Sequence, residues 1–367
     1  EIPFPAYEFS PIETYLMHSQ IPYSAEAMHP NCRRLDVLAS LGCSWHCSFC
    51  FHPSCGTAIY GKEFVGKPFR QFSPQYVVNL ISHLRQQYCI NFVSFIDENM
   101  TINRKWFFEF CSKLEESGLA TLIHWGMVCH TRTLDAELLR KAKDVGCSYL
   151  SMGGESSSEK LLKEMGKGQT KESMQSAIEA TQAAGINPIM SFIIGFPNTT
   201  IDDLIEDCQF YIDNQIHVVP FFLTPYPATP IYRQYKDKII EQWMTDEEKS
   251  FLAKPDLSTY IKMLADSFKP PYDKREADAH APETPSKTTL SRKLPIIKEK
   301  IRDLALERWV LNLDDATKFS VNLTEEFNDV ELAGLRYFMS TWDVERLKKF
   351  KKELEARKRQ LPSEAFL

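Results

Sequence analysis

No cysteine occurs after Cys208 in this chain of 367 residues, although ten lie from Cys32 to Cys208 inclusive. Ten thiols are too few for a disulfide scaffold at this length, so their confinement to one part of the chain points to thiol chemistry there. No uninterrupted apolar run approaches the roughly 20 residues that span a bilayer, and no charged-then-apolar leader opens the chain. The expectation is a cytoplasmic protein without a membrane span. A large charge excess is missing too: the net charge is -6, which offers no general attraction to nucleic acid and leaves a small molecule or peptide as the expected substrate. No G-x-G-x-x-G follows the first apolar run, which counts against a dinucleotide-binding fold.

What the chain does have is ample core material, 43% hydrophobic against 25% charged, and a regular alternation from residue 35 onward. "LDVLASLG" (35–42) reads as a buried strand ending in Gly. Ser73 and Pro74 read as the cap and first residue of a helix that runs to about residue 89. Strands are then expected at 90–99, 121–132, 147–156, 186–196 and 217–230, with helices at 104–119, 135–146, 170–185 and 201–215 between them. Strands alternating with helices over short loops predict parallel βαβ units. Polar, Gly-containing segments close several strands at their C-terminal ends, where a β/α barrel gathers its site. The fold class is therefore α/β, a partial (β/α)6 TIM-like barrel with a mainly helical C-terminal extension. The expected division is a connector over 1–34, a core over 35–235, and a helical region over 236–367 with an exposed loop near 269–293. The start at Glu1 reads as a connector within something longer.

The chemistry concentrates in "LGCSWHCSFCFHPSCGT" (41–57), where Cys43, Cys47 and Cys50 fall in the spacing C-x3-C-x2-C. A structural zinc wants four ligands, and His46, His52 or Cys55 can serve as the fourth. Iron-sulfur clusters are also held by thiolates, and a four-iron cluster with three protein ligands keeps one iron open. Cys55 stands outside the spacing.

The three cysteines after the first strand, with aromatic Phe49 just before the last, resemble the radical S-adenosylmethionine (SAM) superfamily. The resemblance implies a [4Fe-4S] cluster held by Cys43, Cys47 and Cys50, whose open iron chelates SAM, and it places Phe49 with the cofactor. It further implies reductive cleavage of SAM to methionine and a 5'-deoxyadenosyl radical, and an electron donor such as flavodoxin or ferredoxin. "GGESSS" (153–158) is similar to the family's SAM-contacting segment, so Gly153, Gly154, Glu155 and Ser156 become cofactor candidates beside their plainer reading as a helix cap. "FIIGFPNTT" (192–200) resembles a turn near the adenine, which adds Gly195 and Phe196, although a tight turn asks for Gly as well. "FIDENMT" (95–101) resembles the segment after the second strand, so Asp97 and Asn99 are expected to face SAM or substrate. Arg132 suits a carboxylate through its planar fork, or a surface ion pair.

Taken together, "PAYEFSPIETY", "FIDENMT", "GGESSSEKLLKEMGKG", "FIIGFPNTT" and "TPYPATPIY" are most similar to the subfamily whose members carry a cobalamin-binding domain before the radical core. Most of these are methyltransferases using methylcobalamin, and some cyclise or oxidise instead. The resemblance covers about residues 1–235 and resumes at 313–332, leaving 236–312 as an apparent insertion. The chain itself has no D-x-H-x-x-G segment, so cobalamin rests on resemblance alone. A radical oxidation, cyclisation or rearrangement without cobalamin is the alternative, and a non-catalytic iron-sulfur or zinc protein is another. A methylthiotransferase would need further upstream cysteines, and a SPASM-type enzyme would need C-terminal ones, which the chain lacks.

Overall fold

Residues 2–18, 32–52, 69–256, 258–259, 262, 287–311 and 321–360 are described by the structure, a computed structural model. Helix α1 (Ile12–His18) precedes strand β1 (Arg34–Val37), the short strands β2 (Ser40–Gly42) and β3 (Phe69–Gln71), and helix α2 (Pro74–Tyr88). Next come β4 (Phe92–Phe95), α3 (Arg104–Glu116), β5 (His124–Cys129), α4 (Ala136–Asp144), β6 (Cys147–Glu155), α5 (Glu159–Met165) and α6 (Lys171–Ala183). Strand β7 (Asn187–Ile194), α7 (Ile201–Asn214) and β8 (His217–Phe222) complete the alternation. The remaining described helices are α8 (Pro230–Trp243), α9 (Asp246–Ala253), α10 (Lys287–Leu311), α11 (Asp329–Ser340) and α12 (Val344–Gln360).

The main sheet has six strands in the order β1-β4-β5-β6-β7-β8, and every pair is parallel. A doubly wound sheet reverses its order at the middle; this one steps in one direction throughout. Crossovers of a single hand then leave the helices on one face, and the sheet curls into a half-barrel. The outer face is packed as the alternation of strand residues requires: Phe95 meets Phe110 at 5.5 Å between ring centroids, and Trp125 meets Phe107 at 6.3 Å and Phe110 at 5.8 Å. A Cβ on Gly126 would stand 2.1 Å from the Tyr149 ring, so glycine makes room for a tyrosine that stacks on Phe92 and shares a hydrogen bond with Ser94.

The caps read from the sequence form. Ser73 Oγ accepts from Tyr76 N–H at 3.1 Å with Pro74 as the first helical residue, and Asp135 caps α4 by accepting from Leu138 N–H at 2.9 Å. Three elements differ. The strand expected over 35–42 breaks after Val37, because the buried Asp97 carboxylate accepts from Ala39 N–H at 3.1 Å and from Ser40 Oγ and so draws the chain off the sheet. Ser40–Gly42 pairs antiparallel with Phe69–Gln71 instead. Helix α5 occupies a stretch where no element was expected. Helix α10 begins at Lys287, inside the loop expected near 269–293; the rest of that loop lies outside the described residues.

The chain divides into two compact units, Glu1–Ile231 with Thr324–Leu367, and Tyr232–Leu323. In the first, Arg336 Nε on α11 donates to Pro220 O at 2.9 Å, and Lys351 on α12 pairs with Asp202 on α7 at 2.5 Å, so the C-terminal helices return to the edge of the sheet. Pro220 fits that edge, where a missing ladder donor costs nothing. In the second unit Ile240, Met244, Phe251, Ile301 and Ala305 share a core, Tyr232 stacks on Trp309, and Arg308 donates to Trp243 O at 3.0 Å. No helix among the described residues is long and apolar enough to cross a membrane.

Candidate cluster and cofactor site

The cysteine loop leaves the β2–β3 ribbon at Gly42 and is stitched down at two points. Ser48 N–H donates to Met165 O at the end of α5 (2.8 Å), and Ser48 O accepts from Ile231 N–H (3.0 Å). Cys47 is buried and Cys43 and Cys50 are half-buried, with Cys50 N–H donating to Cys47 O at 3.2 Å. Burial pushes all three thiols up, Cys47 to about 11, and the Lys167 ammonium pulls each of them back. One cation thus acts on three thiols.

Lys167 sits between Gly166 and Gly168, both at positive φ (66° and 71°), in the link from α5 to α6. It is 7% exposed and forms a buried ion pair with Glu155 at the end of β6. Glu155 itself stands at φ 66°, a left-handed conformation rare for a residue with a Cβ, where the register with β7 shifts. A Cβ at Gly153 would come 2.2 Å from Lys167 Nζ and 2.3 Å from Glu155 Oε1, so a side chain there would displace the ends of the pair. Gln169 Nε2 donates to the carbonyls of Gly153 (3.0 Å) and Gly154 (2.6 Å), closing the same corner.

Arg132 lies in the turn after β5. Its Nη1 donates to Gly168 O at 2.8 Å, and its guanidinium stands 5.6 Å from the Trp45 ring of the cysteine loop. Trp45 stacks face to face on His130, 3.9 Å between centroids and 8° between planes. His130 Nδ1 accepts from Arg132 N–H at 3.2 Å, which puts the proton on Nε2, 3.2 Å from Lys167 O. Burial, with the Lys167 charge second, lowers the imidazole to about 4, so it is neutral near pH 7.

The other expected residues fall around this centre. Asn99 is buried; its Oδ1 accepts from Thr101 N–H (3.2 Å) and Thr101 Oγ1 (2.8 Å), while its Nδ2 has no hydrogen-bond partner. Asp97 spends its oxygens on Ala39 and Ser40, at the base of the cysteine loop. Ser156 Oγ donates to Asp207 at 3.1 Å, and Ser157 Oγ donates to the same carboxylate at 2.7 Å. Gly195 is at φ 83°, and Phe196 is buried in the turn that ends at Asn198, whose carbonyl accepts from Lys160 Nζ on α5 at 2.8 Å. Phe49 is half-buried within the cysteine loop, His46 is exposed, and His52 Nε2 pairs with Glu98 Oε1 at 2.7 Å. Cys55 lies outside the described residues. The structure thus joins Cys43, Cys47 and Cys50 with Arg132, Gly153, Gly154 and Glu155 around Lys167; Asp97 is turned to the backbone and Ser156 to Asp207.

Four residues with a part in this site were not anticipated: Lys167, Asp207, Trp45 and His130. A lysine between two glycines, "GKG", was the available signal for Lys167. For the aromatic pair and Asp207 the partners are separated by many residues, and only the fold unites them.

Residues 37–211 match the Radical SAM superfamily. Over that segment the chain is similar to the superfamily. A protein named uncharacterized methyltransferase from Pyrococcus horikoshii is 28% identical over 233 residues, covering 63% of this chain and 46% of its own length. An anaerobic magnesium-protoporphyrin IX monomethyl ester cyclase from Cereibacter sphaeroides is 30% identical, covering 54% of this chain and 31% of its own. The chain therefore spans less than half of these curated relatives. Among solved structures, the radical SAM methyltransferase TsrM from Kitasatospora setae, with cobalamin and a [4Fe-4S] cluster bound, aligns with a TM-score of 0.49 at 17% identity, over 57% of this chain and 40% of its own.

The radical SAM domain takes a [4Fe-4S] cluster and SAM, and the residues present fit both. Three thiols within electrostatic reach of one another share one nearby cation, Lys167, whose pull partly offsets the burial that raises each of them. No three His, Cys, Asp or Glu side chains among the described residues converge as one ion demands. A cluster of four irons makes no such demand, since each thiolate takes a different iron. The orphaned Asn99 amide offers a donor at the same end of the sheet.

Proposed function

We propose that this chain is the radical core of an enzyme that cleaves SAM reductively and uses the resulting radical on a small molecule, with methyl transfer the foremost reaction. The observation that carries the reading is the set Cys43, Cys47 and Cys50 under the single charge of Lys167, at the C-terminal end of a six-stranded half-barrel. When bound, the cluster supplies the electron that breaks a carbon–sulfur bond of SAM. The chain's own residues hold and orient: the three thiolates take iron, Lys167 offers a cation to a carboxylate, and Glu155 accepts from an ammonium or a ribose hydroxyl. Gly153 and Gly154 keep the floor low, Asn99 Nδ2 donates to cofactor or substrate, and Phe49, Arg132, Gly195 and Phe196 border the same ground. Ser156 acts through Asp207.

Methyl transfer draws support from the relative named a methyltransferase, and methylcobalamin as methyl donor rests on the resemblance of the segments at 95–101, 153–168 and 192–200 to the cobalamin-dependent subfamily. The cyclase relative supports oxidative cyclisation as the second reading. An external electron donor completes the reaction in either case.

The test is anaerobic reconstitution with iron, sulfide, SAM and a reductant. We expect 5'-deoxyadenosine from the parent chain and none from Cys43→Ala, Cys47→Ala or Cys50→Ala. Equal amounts from all four would overturn the reading. Adding cobalamin and following S-adenosylhomocysteine separates methyl transfer, in which SAM gives its methyl to the cobalamin and leaves S-adenosylhomocysteine beside 5'-deoxyadenosine, from cyclisation, which leaves none.

A further inference from the structure

Trp45 lies within the first gap of the cysteine spacing, two residues from Cys43 and two from Cys47, and no role in ligation falls to it. Its ring is nonetheless the best-held part of the loop. His130 stacks on one side at 3.9 Å and 8°, and the Arg132 guanidinium stands 5.6 Å away. The two residues that grip the ring also hold the backbone that carries the cation: His130 Nε2–H reaches Lys167 O at 3.2 Å, and Arg132 Nη1 donates to Gly168 O at 2.8 Å. A Cβ at Gly168 would sit 3.3 Å from Arg132 Nη1 and 3.6 Å from Trp45 Cζ3, so the link from α5 to α6 packs directly against both.

From this geometry we propose that Trp45, His130 and Arg132 form a clasp that fixes the cysteine loop against Lys167. Trp45 is a positioning residue for both cluster and SAM. The inference rests on the cluster reading above and adds a part that ligation does not require. A loop free to drift from the exit of β5 would carry its three thiols away from the rim where Lys167 and Glu155 are held. The Lys167–Glu155 pair would then meet SAM in the wrong place. An aromatic at position 45 keeps the stack; an aliphatic does not. At position 130, phenylalanine keeps the stack and loses both hydrogen bonds, which divides the clasp into its halves.

The experiment compares the parent chain with Trp45→Leu, Trp45→Phe and His130→Phe after anaerobic reconstitution to equal iron and sulfide content, with thermal melts as the check on folding. Two quantities are read: the rate of iron loss to excess EDTA, and SAM affinity by equilibrium binding. Trp45→Leu should lose iron faster and bind SAM more weakly, each on the order of tenfold, the size expected of a partner behind the ligands. Trp45→Phe should stay near the parent in both. His130→Phe should hold iron like the parent and bind SAM more weakly. A Trp45→Leu chain with the parent's iron retention and SAM affinity would overturn the clasp, as would Trp45→Phe failing as badly as Trp45→Leu. Where Trp45→Leu does not melt cooperatively, Trp45→Phe and His130→Phe decide alone. A parent chain that takes up no iron and sulfide overturns the cluster reading itself, and the clasp with it.

Discussion

Lys167 and Glu155 show how much a single buried pair controls. Each is about nine-tenths covered, so removing either partner strands a charge away from water. Lys167→Met should lower stability by about 3–5 kcal/mol in urea unfolding. The double variant Lys167→Met with Glu155→Met should recover most of that loss, yet bind SAM no better than the single one. Recovery of both would reduce the pair to a structural tie. Asp207 gives a second prediction at this scale. Burial raises its carboxyl to about 7 against the donors on Ser156 and Ser157, and a raised carboxyl favours the folded state while protonated. That contribution is fully present below the ordinary value of 3.8 and is lost as pH rises through about 7. Urea midpoints of the parent should therefore fall over this window relative to those of Asp207→Asn; parallel profiles would contradict the ionisation. The cysteines announced themselves in the sequence by spacing alone. Lys167 did not, because a lone lysine beside a helix end reads as solvent-facing until the fold brings three thiols to it.

Elements were legible where periodicity and caps agreed. The sequence marked α2 by Ser73 and Pro74 and α4 by Asp135, and β6 appears within a residue of its expected end. What escaped was decided across the fold. The break between β1 and β2 comes from Asp97, more than fifty residues away, so no local pattern could reveal it. Helix α5 has seven residues, fewer than periodicity needs to declare itself, and it exists because Leu161, Leu162 and Met165 are buried and its last carbonyls meet the cysteine loop. Capping now gives a measurable handle. Thr200 and Asp203 form a reciprocal box at the start of α7, the helix that carries Asp207. Thr200→Ala should cost about 1 kcal/mol in urea unfolding and leave iron uptake unchanged. A variant that folds equally well but loses iron would mean that the α7 start acts on the cluster directly.

At the scale of the whole molecule, the alternation of strands and helices was visible in the sequence, but the choice between an open sheet and a partial barrel was settled by strand order. Short loops and strand-end polar segments pointed the right way because a one-directional sheet brings every C-terminal strand end to one rim. A mainly helical C-terminal region was readable in the sequence; the return of α11 to β8 and of α12 to α7 was not, since an apolar stripe does not name its partner. The central claim is that three cysteines hold a cluster with one iron left open for SAM. Electron paramagnetic resonance of the reduced, reconstituted chain tests it most directly. The account predicts a [4Fe-4S] signal whose line shape changes when SAM is added, and which is lost in Cys47→Ala; a signal that SAM leaves unaltered, or a site that takes up zinc without iron and sulfide, would contradict it.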